Sequence, residues 1–248
     1  RHYREAGIRA KAFRFSVKAA ESAESTYAPD TALDHYRAAL KLAPLERRIE
    51  LLRKVGEINQ TLGFYKEALR NYHCALNLKA LTADQKAELW LKIATIQRKT
   101  KEHPEALNAI QKGLSLMRQK ETPMKADFLT EWAWISMERG DYAAAVKYCQ
   151  KAEKLSAKAQ DARSLAGVYN TLGILYWRKG DLKNALEFSS KTLDLRAQLG
   201  DRIGKARSYN NLGVIYWTKG DFKEAHRCYQ NALREFERSG DIRSTADI

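Results

Sequence analysis

The 248-residue chain is 44% hydrophobic and 30% charged, with 13 Gly and 4 Pro, which excludes the biased compositions of disordered and low-complexity chains. Its 44 Lys and Arg against 30 Asp and Glu leave a net charge of +14. The basic residues are spread along the whole chain and run no denser than Arg98-Lys99-Thr100-Lys101, so a solvated helical surface accounts for them better than a nucleic-acid footprint.

No apolar run approaches the roughly 18 residues that a membrane helix needs. The opening RHYREAGIRAKAFRF also lacks the apolar centre of a signal peptide. Cys74, Cys149 and Cys228 are widely spaced and odd in number, which argues against a disulfide framework and for a reducing, cytoplasmic compartment. A chain that starts at Arg1 and stops at RSTADI reads as a piece of a longer protein.

Taken in chain order, residues 1–45 predict an irregular helical lead-in continuous with the solenoid that follows. A small-residue triplet, Ala12/Ser16/Ala19, is followed after only 20 residues by Ala32, out of step with what comes later. From there a skeleton recurs: a small residue, an often bulky one four later, and usually another small one after three more. It reads Ala32/Tyr36/Ala39, Ala68/Tyr72/Ala75, Ala106/Ile110/Gly113 and Ala145/Cys149/Ala152, then the weaker Ala185/Ser189/Thr192, then Ala225/Tyr229/Ala232. The leading alanines are 36 to 40 residues apart.

Late in the chain the repeat becomes nearly literal. NTLGILYWRKGD over 170–181 and NNLGVIYWTKGD over 210–221 place Gly173 over Gly213 and Gly180 over Gly220, and Gly140-Asp141 matches one period earlier. Each unit holds two helical patterns. Val168, Leu172, Leu175 and Tyr176 recur at helical spacing up to a break at Gly180. Asp181 stands where an N-cap belongs, and the second helix runs to Gly200. Further Gly-Asp pairs follow at 200–201 and 240–241. Gly173 and Gly213 each cost about 1 kcal/mol of helix propensity against Ala. That cost makes sense where a neighbouring helix presses close, and Ala185 and Ala225 supply the matching small surface. No alternation of the strand type appears, so the fold class is all-α: antiparallel helix pairs stacked to share one core.

The pattern resembles the tetratricopeptide repeat family, in a long-period form. In the last unit the signature falls on Tyr209, Leu212, Gly213, Tyr216, Ala225, Tyr229 and Ala232, and in the preceding one on Tyr169, Leu172, Gly173, Tyr176 and Ala185. Earlier units carry it on Trp90, Ala94 and Ala106, and on Leu52, Gly56, Ala68, Tyr72 and Ala75. The resemblance covers residues 46 to 240 and implies a right-handed α-solenoid, with about five helix pairs over 46–248 cut at both ends. The lead-in resembles the segment before the repeats in large bacterial signalling proteins that carry a nucleoside-triphosphatase module. That implies the regulatory part of a larger cytoplasmic signalling ATPase or transcription regulator, although no G-x-x-x-x-G-K-[ST] occurs here.

The resemblance also implies which side chains line the inner, concave wall. They are Glu50, Arg53, Glu57 and Gln60; then Glu88, Leu91, Thr95 and Arg98; then Asp127, Thr130, Trp134 and Met137. The late units add Asn170, Ile174 and Trp177, and Arg207, Asn210, Val214 and Trp217. Trp177 and Trp217 are not signature residues, and large rings rimmed by amides suit a peptide groove. Asn170 and Asn210 can each hold a peptide backbone group with one donor and one acceptor. The expected partner-binding residues are therefore Trp134, Asn170, Trp177, Arg207, Asn210 and Trp217. The alternative is that the rings pack on adjacent helices and the amides bridge repeats. Trp90 and Trp132 sit at core signature positions. A Lys/Asn clamp for a terminal carboxylate is not reproduced, since the corresponding positions are Asn170/Ile174 and Asn210/Val214.

No catalytic constellation is visible. His2, His35, His73, His103 and His226 are scattered over different units, and no metal or other cofactor is implied. The expected function is a protein-binding or ligand-sensing module whose partner is a protein or peptide. The alternative is a single-stranded nucleic-acid reader using Thr130, Asn170 and Asn210. End-to-end self-association through cut apolar faces is a further expectation.

Overall fold

In the computed structural model, residues 2–26, 28–78, 81–117 and 121–239 are described. They form helices throughout: α1 His2–Ser25, α2 Pro29–Leu42, α3 Leu45–Thr61, α4 Tyr65–Leu76, α5 Ala83–Lys99 and α6 His103–Ser115, then α7 Pro123–Glu138, α8 Tyr142–Lys158, α9 Ala162–Arg178, α10 Leu182–Gln198, α11 Arg202–Lys219 and α12 Phe222–Ser239. The last expected Gly-Asp break, Gly240-Asp241, lies outside the described residues. Two compact units divide the chain, Arg1–Leu116 and Met117–Ile248. In each, consecutive odd and even helices pack as antiparallel pairs, and each pair stacks on the next, which is the α-solenoid arrangement.

The helix boundaries follow from a dipeptide. Gly140, Gly180, Gly200 and Gly220 all have positive φ, between 66° and 83°, where a side chain is costly. At Gly180 the glycine N–H returns to the Trp177 carbonyl at 2.9 Å and the Asp181 N–H to the Tyr176 carbonyl at 2.9 Å, closing α9. The Asp181 carboxylate then accepts the Asn184 N–H at 3.1 Å, opening α10. Asp141, Asp161, Asp201 and Asp221 cap α8, α9, α11 and α12 in the same way. One Gly-Asp pair thus ends one helix and begins the next. At α9 the turn glycine is replaced by Gln160, which takes the left-handed conformation at φ 53°.

Close packing sits where the small residues predict it. Ala32, Ala68, Ala106, Ala145, Ala185 and Ala225, which lead the triplets on the even helices, are at most 1% exposed. In the first unit, Ala20 and Ala23 of α1 and Ala32, Leu33, Tyr36 and Ala39 of α2 share a core with Leu51, Val55 and Ile58 of α3. The residues of the predicted lead-in are therefore packed as a helix pair. In the second unit, Leu129, Ala133, Cys149, Ala152, Val168, Leu172 and Leu175 form the equivalent core.

A side chain at the repeat glycines would strike the partner helix. A Cβ at Gly56 would stand 2.3 Å from the ring of the fully buried Tyr72, and one at Gly213 would stand 2.6 Å from the Tyr229 ring. At Gly173 the obstacle is the Ser189 hydroxyl at 2.6 Å, a group that can rotate away. The costs of alanine substitution should therefore rank Gly56 above Gly213 above Gly173. Gly213→Leu should lower stability by about 1–3 kcal/mol through overpacking. Urea denaturation of the variants checks the order, and a neutral Gly56→Ala would overturn the packing account.

Candidate functional site

In the second unit α9 lies against both α7 and α11, whereas α8, α10 and α12 make no comparable contact with one another among the described residues. The odd helices therefore form the tighter, inner layer of this unit. Counting by the 40-residue period aligns their faces in rows: Asp127/Gly167/Arg207, Thr130/Asn170/Asn210, Trp134/Ile174/Val214 and Met137/Trp177/Trp217. The unit brings all six expected residues onto these three helices, but their surroundings differ.

Trp177 is half-buried, and its indole N–H donates to the Thr218 hydroxyl of α11 at 2.9 Å. Thr218 passes its own proton to the Val214 carbonyl at 2.8 Å. The ring therefore ties two neighbouring units together. Trp217 is 61% exposed, and its ring meets Phe222 edge-on at 4.9 Å, itself 59% exposed. Asn170 accepts a hydrogen bond from the Asn211 amide at 3.1 Å, which leaves the Asn170 amide N–H groups free to donate. Asn210 is half-buried and its carboxamide makes no hydrogen bond within the described residues. Arg207 is exposed at the start of the row, and Trp134 packs against the core cluster. The residues missed from sequence, Asn211 and Thr218, each sit next to a predicted one in the NNLGVIYWTKGD phrase. The doubled asparagine was the available signal.

Asp127 is the electrostatic anomaly of this wall. Burial pushes its carboxyl up to about 6, against a hydrogen bond to Ser164, and the nearby Asp161 and Glu131 add to the rise. The Ser164 hydroxyl is also bonded to Asp161 at 3.1 Å, so it serves two carboxylates with one proton.

The inner positions of the first unit are of a different chemistry. Arg53 pairs with Glu57 at 2.7 Å and reaches Glu88 at 3.7 Å, while Lys92 pairs with Glu57 at 2.7 Å, linking α3 to α5. Gln60 receives the Tyr72 hydroxyl at 3.3 Å. These groups largely satisfy one another. Trp90 meets His73 edge-on at 6.0 Å with Lys112 over its ring at 4.6 Å. Trp132, in the second unit, stacks on Tyr148 at 5.0 Å. Trp90 therefore packs between α4 of the preceding pair and α6 of its own, and Trp132 packs within its own pair. The three cysteines are free thiols. Burial raises the thiol pKa of Cys149, to about 12, and of Cys228, which removes both as nucleophiles near neutral pH. No described helix is long and apolar enough to cross a membrane.

Two stability predictions follow. Trp177→Ala should cost about 1–3 kcal/mol, because it empties a packed site and strands a hydrogen-bonding partner. Trp217→Ala should change the melting temperature little, and equal losses at both positions would remove the distinction. At Asp127 the folded pKa lies above that of the unfolded chain, so the group favours folding below pH 4 and loses that contribution as pH rises through 6. Asp127→Asn should therefore stabilise at pH 8 by roughly 1–3 kcal/mol and have no such effect at pH 4. Thermal melts at the two values check this.

Residues 164–237, and separately residues 126–158, match the tetratricopeptide repeat pattern. No curated protein matches the sequence. Solved structures share the fold at low identity. BtubC (BKLC) from P. vanneervenii is 20% identical with a TM-score of 0.61, covering 91% of this chain and 92% of that one. The Rap conjugation gene regulator of plasmid pLS20, in complex with the Phr* peptide, is 15% identical with a TM-score of 0.72, covering 86% of this chain and 64% of that one. Aspartyl phosphate phosphatase F from Bacillus subtilis is 13% identical with a TM-score of 0.70, covering 94% and 72%. The fold is thus an all-α solenoid of stacked helix pairs, and the match to the tetratricopeptide repeat pattern falls within its second unit.

Proposed function

We propose that the chain is a recognition module that holds an extended peptide segment, free or within a partner protein, across the inner faces of α7, α9 and α11. The observation that carries this is the pairing of an unsatisfied amide with an open ring. The Asn210 carboxamide makes no hydrogen bond among the described residues, and Trp217, two helical turns on, is 61% exposed. A half-buried amide left unpaired and a large ring left wet both cost free energy that a bound peptide recovers. The peptide backbone bonds the amide and an apolar side chain covers the indole. Asn170 extends the amide row by one repeat through its remaining N–H groups. Trp177, being tied to Thr218, acts as the floor and not as a contact of first resort.

A peptide-bound structure of the same fold, the Rap regulator with Phr*, supports this mode of use. In this reading Arg207 and Trp134 mark the edges of the site. The role is regulatory, as part of a larger signalling protein in a reducing, cytoplasmic compartment, where three free thiols are at home.

A random-peptide display library selected on the wild-type chain and counter-selected on Asn210→Ala/Trp217→Ala tests the site directly. The expected result is a family of peptides that bind the wild type at about micromolar Kd and the double variant at least ten-fold more weakly. Failure to enrich any such peptide overturns the reading. If single-stranded RNA instead binds, with an affinity falling steeply with salt, the wall reads nucleic acid.

A further inference from the structure

The second unit holds a cavity of about 280 Å3 at the corner where α10 turns into α11, closed on one side by the end of α12. Its charged lining is Arg196, Asp201, Arg202, Lys205, Glu235 and Arg238, four cations against two carboxylates. Both carboxylates are already committed. Asp201 accepts the Gly204 N–H at 2.9 Å as the α11 cap. Glu235 pairs with Lys205 at 3.0 Å and faces Arg238 at 3.8 Å, and its side chain is only 12% exposed.

The cations are less committed. One nitrogen of the Arg196 guanidinium donates to the Gly204 carbonyl at 2.7 Å and to the Ser208 hydroxyl at 2.9 Å, leaving the other N–H groups of the fork. Burial lowers the pKa of this guanidinium, which marks it as a desolvated charge held beside the cavity. Arg202, exposed at the mouth, forms no ion pair among the described residues. The N–H groups of Arg202 and Ile203, in the first turn of α11, precede the reach of any intrahelical acceptor.

The repeat architecture does not call for any of this charge. One period earlier, at the corner of α8 and α9, the positions of Arg196, Arg202, Lys205, Glu235 and Arg238 are held by Ser156, Ala162, Leu165, Leu195 and Gln198. Only the capping aspartate is kept, as Asp161. The earlier corner is capped and folded without a single cation at these positions, so the four at the later one answer to something other than the turn.

We propose that this corner is a binding site for a phosphate monoester. A phosphoryl dianion matches the excess of two positive charges, which a carboxylate would neutralise only by half. Its three oxygens suit two arginine forks together with the free N–H groups at the start of α11. The volume takes a phosphoryl group and the few atoms that carry it. The ester is either a phosphorylated side chain of a partner protein or a free phosphorylated metabolite. The site lies at the opposite end of α11 from Trp217 and stands independently of the peptide wall.

Titration of the 15N-labelled chain with O-phosphoserine, and with serine as control, tests it by heteronuclear NMR. The expected result is saturable shifts of the backbone amides from Gly200 to Lys205 with phosphoserine and none with serine. Arg202→Ala/Arg238→Ala should weaken binding about ten-fold or more, while Trp217→Ala leaves it unchanged. Both arginines are rim residues, and a melting curve matching wild type shows that the double variant is folded; if it is not, Arg202→Gln alone carries the same comparison. A phosphoserine peptide that binds at least ten-fold tighter than the amino acid assigns the site to a protein partner, and equal or weaker binding assigns it to a metabolite. Absence of saturable shifts at ~10 mM phosphoserine, shifts scattered over the lysine-bearing surface, or unchanged affinity in the arginine variant would overturn the proposal.

Discussion

The close approach of paired helices at small residues is the constraint on which the rest of the molecule depends. The glycines of α3 and α11 leave no room for a methyl group beneath Tyr72 and Tyr229, that of α9 lies close under Ser189, and the alanines that lead the even helices are buried to the last few per cent. That contact fixes how far apart the helices of a pair stand and how they are rotated. With rotation fixed, each period of the sequence presents the same positions to the same side, so side chains 40 residues apart fall into rows. The alignment of Thr130, Asn170 and Asn210 is a consequence of packing on the other face of their helices. A repeat protein obtains a graded surface in this way from a local rule applied several times.

Much of this was legible in the chain. The two near-identical phrases gave the period, the Gly-Asp pairs gave helix ends, and the signature positions gave the buried face. The turn before α9 was harder to see, because Gln160 occupies the left-handed position that glycine fills elsewhere, and only Asp161 keeps the pattern. The lead-in has a spacing of its own. Its triplet spacing differs from the later period, yet α1 and α2 bury Ala20, Ala32, Tyr36 and Ala39 as any other pair does. Apolar spacing along one helix tells what is buried and not how many residues separate one helix from the next.

What the sequence does not carry is the partner of each polar group. Trp177 and Trp217 occupy equivalent positions in nearly identical phrases, but among the described residues only the Trp177 indole reaches a threonine, Thr218 of α11. Asn170 and Asn210 differ in the same manner, because Asn211 serves the first and no described residue serves the second. Equivalent residues at successive positions of a stack become unequal because each is completed by its next neighbour. The corner cavity was invisible for a stronger version of the same reason. Its lining comes from α10, α11 and α12, over 43 residues of sequence between Arg196 and Arg238 inclusive, and no short motif contains it.

The net charge of +14 looks different once its uses are separated. At the inner positions of the first unit, Arg53 and Lys92 are spent on Glu57 and Glu88 and leave little field. At the corner of the second unit two acids are consumed by a cap and an ion pair, and the cations beside them are not all matched. A uniform composition therefore conceals an uneven field, and it is the local excess that matters for an anionic ligand. The corner and the peptide wall also share α11: Ser208, which receives Arg196, is two residues before Asn210. The two proposed sites thus lie on one helix without sharing a contact residue, the cations of one near its start and the ring of the other near its end.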